Sequence, residues 1–415
     1  MTFAALLRNN RNVRYLWAGQ VVSEIGDHFN NIAVLSLALR NDGAGMAVAG
    51  IMLSRAIPAI SVGPLAGVLL DRFDRRSLML MSDLVRAVIA LLFLLPVGSS
   101  SNAMLYVLSA LLMAASPFFS AGRSAILPSI VTPAELPAVT TLTQTTMWAT
   151  TAAGAFLAGH SVDKFGYTSA FLLNAASFLL SGFCVWMLRG SFKVRNEPSH
   201  RSSPVQDYLD GLRYMRSIPL LFAIGLVSLG WASGGGAAQI LFSLFGEKVF
   251  QKGPAGTGDI WGAAGVGLVL GGALAHRLSK GLGFTGYKRT IAIAYLCHGS
   301  MYVIFSQMSN YYLAIVFILL SRASVAVSSV MNATQVMRHT ANEYRGRVMS
   351  TLETLTWGMM MLSMSAAGLA TSSGDVGTIR FVGAVSGVLS GTTAFWWTWL
   401  NVRGKLPEPK VDSVP

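Results

Sequence analysis

Long apolar stretches alternate with short polar breaks over nearly the whole chain. Uncharged runs recur at 87–122, 136–162, 165–188, 217–246, 290–321, 354–374 and 381–402. A membrane-crossing helix needs about 20 mainly apolar residues, so the runs longer than about 30 hold parts of two helices. Pro96-Val-Gly-Ser-Ser-Ser-Asn102 supplies the turn inside the first run, and Gln307-Met-Ser-Asn310 the turn inside the fifth. With the helices that a few charges interrupt, the pattern predicts twelve. They lie near 15–39, 46–70, 77–97, 102–120, 138–159, 167–188, 219–245, 260–278, 290–307, 311–337, 348–370 and 379–401.

Composition turns these helices into membrane spans. Only 12% of the 415 residues are charged, 53% are apolar and the mean hydropathy is +0.54, which excludes a soluble chain. The glycines and prolines form no biased tracts, so collagen-like and disordered classes are excluded as well. Cys184 and Cys297, both inside apolar runs, exclude a disulfide framework or a cysteine-rich metal site.

The net charge of +13 would suggest nucleic acid in a soluble protein. Its distribution says otherwise. With a cytoplasmic N-terminus, the inner segments hold 23 of the 31 Lys and Arg residues, the outer loops five (Arg40, Lys164, Lys248, Lys252, Arg380), and three lie in helices (Arg55, Arg86, Arg322). This is the positive-inside pattern, and it predicts both termini in the cytoplasm with no nucleic-acid partner. The first helix is too long for a cleavable signal peptide and carries Glu24 and Asp27.

The organisation expected is a first six-helix bundle over 1–188, a linker over 189–217, a second bundle over 218–402 and a tail over 403–415. Tyr208, Leu209, Leu212 and Met215 recur at helical spacing, predicting an amphipathic helix on the membrane surface at the end of the linker. Thr132-Pro-Ala-Glu135 matches Thr340-Ala-Asn-Glu343, and Gly67-Val-Leu-Leu-Asp-Arg72 resembles Gly272-Ala-Leu-Ala-His-Arg277. Both matches are offset by about half the chain, which predicts two bundles related as parallel repeats.

The most specific local signal is Gly67-Val-Leu-Leu-Asp-Arg-Phe-Asp-Arg-Arg76. Gly67 allows close helix approach, Asp71 and Asp74 are expected at the N-terminal end of helix three, and Arg72, Arg75 and Arg76 offer bidentate donors at the inner face. Arginines alone would fit an ordinary inner loop; the glycine and aspartate spacing favours a motif. It fits the G-x-x-x-D-R-x-x-R-R loop signature and resembles that of the major facilitator superfamily.

Further pieces resemble its macrolide-efflux and enterobactin-exporter branch. They are Ser23-Glu-Ile-Gly-Asp27, Arg55-Ala-Ile-Pro58 leading into Gly63-Pro-Leu-Ala-Gly67, Ser82-Asp-Leu-Val-Arg-Ala87, Gly122-Arg-Ser-Ala-Ile-Leu-Pro128, Gly211-Leu-Arg-Tyr214 and Tyr344-Arg-Gly-Arg-Val348. The Gly-Pro pair of antiporters in helix five is replaced around Gly154-Ala-Phe-Leu-Ala-Gly159. The resemblance implies an all-α fold of two six-helix bundles around a central cavity. It also implies a secondary exporter of a small hydrophobic or amphipathic compound (a drug, macrolide or siderophore-like molecule), working by alternating access with proton antiport. A lysophospholipid flippase and a non-transporting receptor or assembly factor are the alternatives.

Ionisable residues inside membrane helices are costly and are functional candidates by default. Glu24, Asp27 and His28 share one face of helix one, and Asp27 lies about 18 Å along it from Tyr15, near the middle of a ~30 Å core. Arg55 of helix two falls at similar depth, and Arg322 lies mid-helix in helix ten. Asp27 is expected to be the principal proton-coupling group, assisted by Glu24, with His28, Arg55 and Arg322 in the same cavity. Asp83, Arg86 and Glu353, nearer the inner surface, are expected to join Gly67, Asp71, Arg72, Arg75 and Arg76 as a gate.

Other features carry less. Gly234-Gly-Gly236 fits either a cavity-lining break or close packing; Trp148, Trp231 and Trp357 fit a pocket, and Trp396, Trp397 and Trp399 an interfacial belt. No phosphate-cradling loop and no metal-ligand spacing is present, so no cofactor, no metal and no enzymatic activity are expected. The expected partners are a small-molecule substrate, protons and membrane lipid, with a monomeric chain in a bacterial-type inner membrane.

Overall fold

The computed structural model describes residues 3–42, 44–190, 192 and 204–409. Among them there is no β-strand, and helices follow one another in the order α1 (Phe3–Asn9), α2 (Arg11–Asp42), α3 (Gly45–Arg72), α4 (Arg75–Leu92), α5 (Ala103–Ile130), α6 (Leu136–Trp186), α7 (Pro204–Ser217), α8 (Pro219–Leu244), α9 (Gly253–Ser279), α10 (Phe284–Gln307), α11 (Tyr311–Arg338), α12 (Arg345–Ala370) and α13 (Val376–Val402). α6 is two helices, because Gly166 at its middle has φ 77° and ψ 175°, a backbone only glycine adopts readily. All twelve helices predicted from hydropathy are therefore present, and the small α1 and α7 are added to them. Seven spans, in α3, α4, α5, α6, α8, α9 and α11, are long and apolar enough to cross a membrane by length and composition. Several helices run well beyond the apolar windows that announced them, because helical geometry persists where side chains turn polar.

Side-chain caps mark several starts. Asp74 accepts from Ser77 N at 2.9 Å before α4, Asn310 from Leu313 N at 3.1 Å before α11, and Asp375 from Thr378 N at 2.8 Å before α13. Asp71, expected beside Asp74, instead lies exposed in the last turn of α3. The chain between the two helices is too short to bring both carboxylates to one helix start.

The chain divides into two compact units. The first contains Met1–Glu197, Phe242–Gly265 and Ser372–Gly374. In it α2 presses against the second half of α6, where a Cβ on Gly26 would overlap Ser177 and fall 2.9 Å from Asn174 Oδ1. The α8–α9 hairpin tip belongs to this unit: a Cβ on Gly159 of α6 would lie 2.7 Å from the Cα of Gly258 in α9. Small residues permit these close crossings, as membrane helices require without a hydrophobic drive between them.

The second unit holds Pro198–Leu241, Val266–Thr371 and Asp375–Pro415. The linker residues 193–203 lie outside the described residues. α7 forms over Pro204–Ser217, at the end of the linker where the helical spacing places it. Its Asp207–Gly211–Tyr214 side packs on α12: a Cβ on Gly211 would meet Arg347 O at 2.6 Å, Asp207 pairs with Arg347 at 2.7 Å, and Tyr214 stacks on Tyr344 with ring centroids 4.4 Å apart, while Met215 packs towards Gly225 of α8 and Leu209 is 46% exposed. Gly234 and Gly236 continue α8 unbroken and lie against Ser386 and Ser390 of α13 and Met360 and Ser363 of α12, so the glycine run serves packing. Trp397 leaves the expected interfacial belt. It is fully buried and donates from Nε1 to Lys288 O at 2.8 Å, whereas Trp396 and Trp399 are exposed.

Candidate functional site

Within the first unit, four helices bring their membrane-depth polar residues together. α2 supplies Gln20, Glu24, Asp27, His28, Asn30 and Asn31; α3 supplies Arg55, α4 Asp83 and Arg86, and α5 Arg123. Glu24 is the best-partnered acid. Its Oε1 accepts from Gln20 Nε2 at 2.8 Å and faces Arg123 Nη1 at 3.5 Å, while its Oε2 accepts from Thr150 Oγ1 of α6 at 2.7 Å. Charge-assisted bonds of this kind hold a carboxylate in one rotamer and offset part of its desolvation.

Asp27 lies one turn further along α2. Its charged surroundings are Arg86, Arg55, Glu24 and Asp83, two of each sign. Arg55 directs its hydrogen bonds to two amides of α2 rather than to an acid: Nη2 donates to Asn30 Oδ1 at 2.7 Å and Nη1 to Asn31 Oδ1. Asp27 thus sits in the field of two guanidiniums while both have their hydrogen bonds elsewhere. Arg86 pairs with Asp83, is 3% exposed, and has Phe119 and Phe178 rings 4.7 and 4.4 Å from its guanidinium carbon. His28 packs its ring over Gly154 of α6, where an added Cβ would fall 2.9 Å from Cδ2.

Arg123 is the residue that hydropathy misplaced. The apolar run ends at Gly122, which by hydropathy alone puts Arg123 in the inner loop; α5 continues to Ile130 and carries it within the helix, with its side chain 19% exposed. Gln20, Thr150, Asn30 and Asn31 also escaped notice, since uncharged polar residues barely disturb hydropathy. The usable signal was their spacing: Gln20, Glu24 and Asp27 recur at four and three residues on one face.

The gate candidates separate into two groups. Arg75 Nη1 donates to Ala125 O at 2.8 Å and Arg76 to Trp186 O, tying the loop after α3 to the ends of α5 and α6. Asp71, Arg72 and Glu353 are exposed, and a Cβ on Gly67 would meet nothing within 4 Å. In the second unit Arg322 is 6% exposed, its Cβ 3.0 Å from where a Cβ on Gly267 of α9 would stand, with His298 and Tyr302 as electrostatic neighbours. His298 Nδ1 meets Ser321 Oγ at 2.8 Å.

That unit also carries a half-open pocket of about 200 Å³ lined by Trp231, Tyr295, Ser228, Ser328, Asn332 and Thr356 among apolar neighbours, with no charged side chain on its wall. Trp231 therefore lines a pocket as expected from sequence; Trp357 is 43% exposed. Among the described residues no group of His, Cys, Asp and Glu could hold a metal ion.

The arrangement can bind and exchange a proton or a cationic group among paired carboxylates and guanidiniums, and it offers no nucleophile–base pair. The model of the Major Facilitator Superfamily matches residues 16–364. The uncharacterized MFS-type transporter YfiS of Bacillus subtilis (strain 168) is 29% identical over 219 residues, about half of each chain (52% of both). The bacilysin exporter BacE of the same organism is 24% identical over 358 residues, covering 82% of this chain and 84% of its own. Macrolide efflux protein A of Streptococcus pyogenes is 33% identical over 81 residues, 19% of this chain and 20% of its own. Among solved structures, a bacterial homologue of the iron transporter ferroportin superposes with a TM-score of 0.71 at 18% identity, covering 96% of this chain and all of its own (100%). The nucleoside transporter NupG (D323A mutant) gives 0.74 at 11% identity, covering 94% and 99%. These superpositions show a shared fold. This chain belongs to the major facilitator superfamily and is a membrane transporter, not an enzyme.

Proposed function

We propose that the chain is a secondary exporter of a small hydrophobic or amphipathic compound, driven by proton antiport, with Asp27 as the principal coupling group and Glu24 assisting. One observation carries the reading. Two carboxylates of α2 stand at membrane depth among Arg55, Arg86 and Arg123 of three other helices, and only Glu24 has its oxygens fully committed to hydrogen bonds. An intramembrane acid that can gain or lose a proton as its guanidinium neighbours shift is what exchange against protons needs. The pocket of the second unit, which mixes apolar walls with hydroxyl and amide groups and has no charged side chain, favours an uncharged amphipathic cargo. The similarity to a bacilysin exporter and a macrolide efflux protein supports the outward direction. The positive-inside distribution supports cytoplasmic termini, and the exposed Asp71 with the anchored Arg75 and Arg76 supports a gating role for that loop.

The test uses proteoliposomes loaded with chloramphenicol, erythromycin or lysophosphatidylglycerol under an imposed pH gradient. Gradient-driven movement of either antibiotic is expected, and Asp27→Asn should retain binding while losing the gradient dependence. Movement of the lysolipid alone would replace the exporter reading with a flippase, and gradient-driven flux through Asp27→Asn would remove Asp27 from coupling.

A further inference from the structure

We propose that Glu247 is a second proton-binding site of this transporter, built into the tip of the α8–α9 hairpin, which holds the proton while the tip is docked and releases it when the tip lifts. The inference rests on the proton-coupled reading above and adds a site that no part of it uses.

The geometry begins with backbone. After α8 the chain makes a π turn over Phe245–Val249, closed by Phe250 N donating to Phe245 O at 2.9 Å. Gln251 then adopts φ 53° and Gly253 φ 58°, so two of three successive residues lie in the left-handed region and one of them is not glycine. Single π turns and left-handed non-glycine residues cost free energy and gather where function holds them. Here the turn carries the one acidic side chain of its segment. It places Glu247 inside the first unit, where Oε1 is buried with no hydrogen-bond partner and Ser36 of α2 lies against the carboxylate.

The charged and titratable groups around it are few. Lys248 is its neighbour on the same turn, Tyr167 of α6 stands within its field, and Arg40 of α2 covers that tyrosine ring at 5.0 Å. Asp163 adds a second negative charge near Tyr167. No cation forms an ion pair with Glu247 among the described residues, so an ionised carboxylate there has only the Ser36 hydroxyl and the charge of Lys248 to offset its desolvation, whereas the neutral acid can donate its proton to the Ser36 hydroxyl.

The tip docks through close backbone crossings and one histidine–carboxylate contact. Gly258 crosses Gly159, Gly262 and Gly265 lie against Ala152, and His160 Nε2 faces Asp259 Oδ1 at 3.3 Å. When these part, Glu247 meets water and loses the reason to stay neutral. Docking thus favours proton uptake, and by linkage low pH favours docking and rising pH favours release.

The experiment uses the full chain, with Cys184 and Cys297 replaced by serine, in lipid nanodiscs. Thr257→Cys, at a fully buried position packed on Gly246, reports docking through its rate of modification by a membrane-impermeant maleimide between pH 5.5 and 8.5. The rate is divided by that of Ser309→Cys, an exposed loop position, to remove the intrinsic titration of the thiol. We expect the ratio to rise about tenfold or more across this range along a one-proton curve, and Glu247→Gln to hold it at its low-pH value throughout. Asp27→Asn should keep a rise that still requires Glu247, wherever its midpoint falls, which separates this site from the one in α2. Glu247→Gln with an unchanged pH profile, or a flat profile in the parent protein, overturns the proposal even if gradient-driven export is found. A rise that depends on Glu247 supports the site even if export proves to be uncoupled from protons.

Discussion

Single residues decide which charges this membrane protein can keep. Asp83 and Arg86 form a buried ion pair with two aromatic faces on the guanidinium, and removing one partner strands the other in a site built for both. Arg86→Leu should lower stability by about 3–5 kcal/mol, read as a fall in the thermal midpoint in detergent, and Arg86→Leu with Asp83→Leu should recover much of it. Glu24 is a different case, because the side chains of Arg123 and Glu24 are 19% and 21% exposed and water can reach the pair. Arg123→Gln should cost about 1 kcal/mol of stability or less, yet impair transport strongly if this pair changes between states. A double-mutant cycle on transport rate for Glu24→Gln and Arg123→Gln would then show strong coupling; additive effects would disconnect the pair from the cycle. Arg123 also shows a limit of sequence reading. Its position in α5 follows from a helix continuing past the apolar window, and hydropathy measures transfer into lipid, not where backbone hydrogen bonding stops.

At the scale of elements, apolar runs and turn residues were enough to place all twelve helices, because each must bury about 20 residues of backbone with its own hydrogen bonds. What they fit against was less legible. The amphipathic spacing of Tyr208, Leu209, Leu212 and Met215 identifies α7 but says nothing of the neighbouring side, where Gly211 admits α12 while Leu209 stays exposed. Gly211→Val should therefore undock α7. Increased protease cleavage within the linker, with the rest of the chain intact, would be the sign, and unchanged cleavage would count against the docking. The caps carry their own expectation. The amide and hydroxyl of Thr378 hold the Asp375 carboxyl below its ordinary range, so this cap is present above that range and is lost as pH falls through the depressed value. Hydrogen exchange at the first turn of α13 should speed up in acid for the parent chain, and Asp375→Asn should be less sensitive to pH.

For the whole molecule, orientation follows from where Lys and Arg lie. Lys405→Cys and Ser309→Cys, both exposed and each placed in the cysteine-free chain, should respond oppositely to an impermeant maleimide added to intact cells, with Ser309→Cys labelled and Lys405→Cys protected. The reverse pattern would invert the topology and the direction of proton flow with it. One last consequence comes from Gly166. A single residue makes the entire connection between two membrane helices, so there is no slack in it. On one side of Gly166, α6 carries Gly159, against which the hairpin tip rests; on the other it carries Ser177, which seats Gly26 in the helix of Asp27. The two arms form a bell crank: a push on one is delivered to the other with little lost in the joint. A loop of ordinary length would absorb that displacement, and inserting a few flexible residues at Gly166 should leave both arms folded while disconnecting what happens at the hairpin from what happens at the acid.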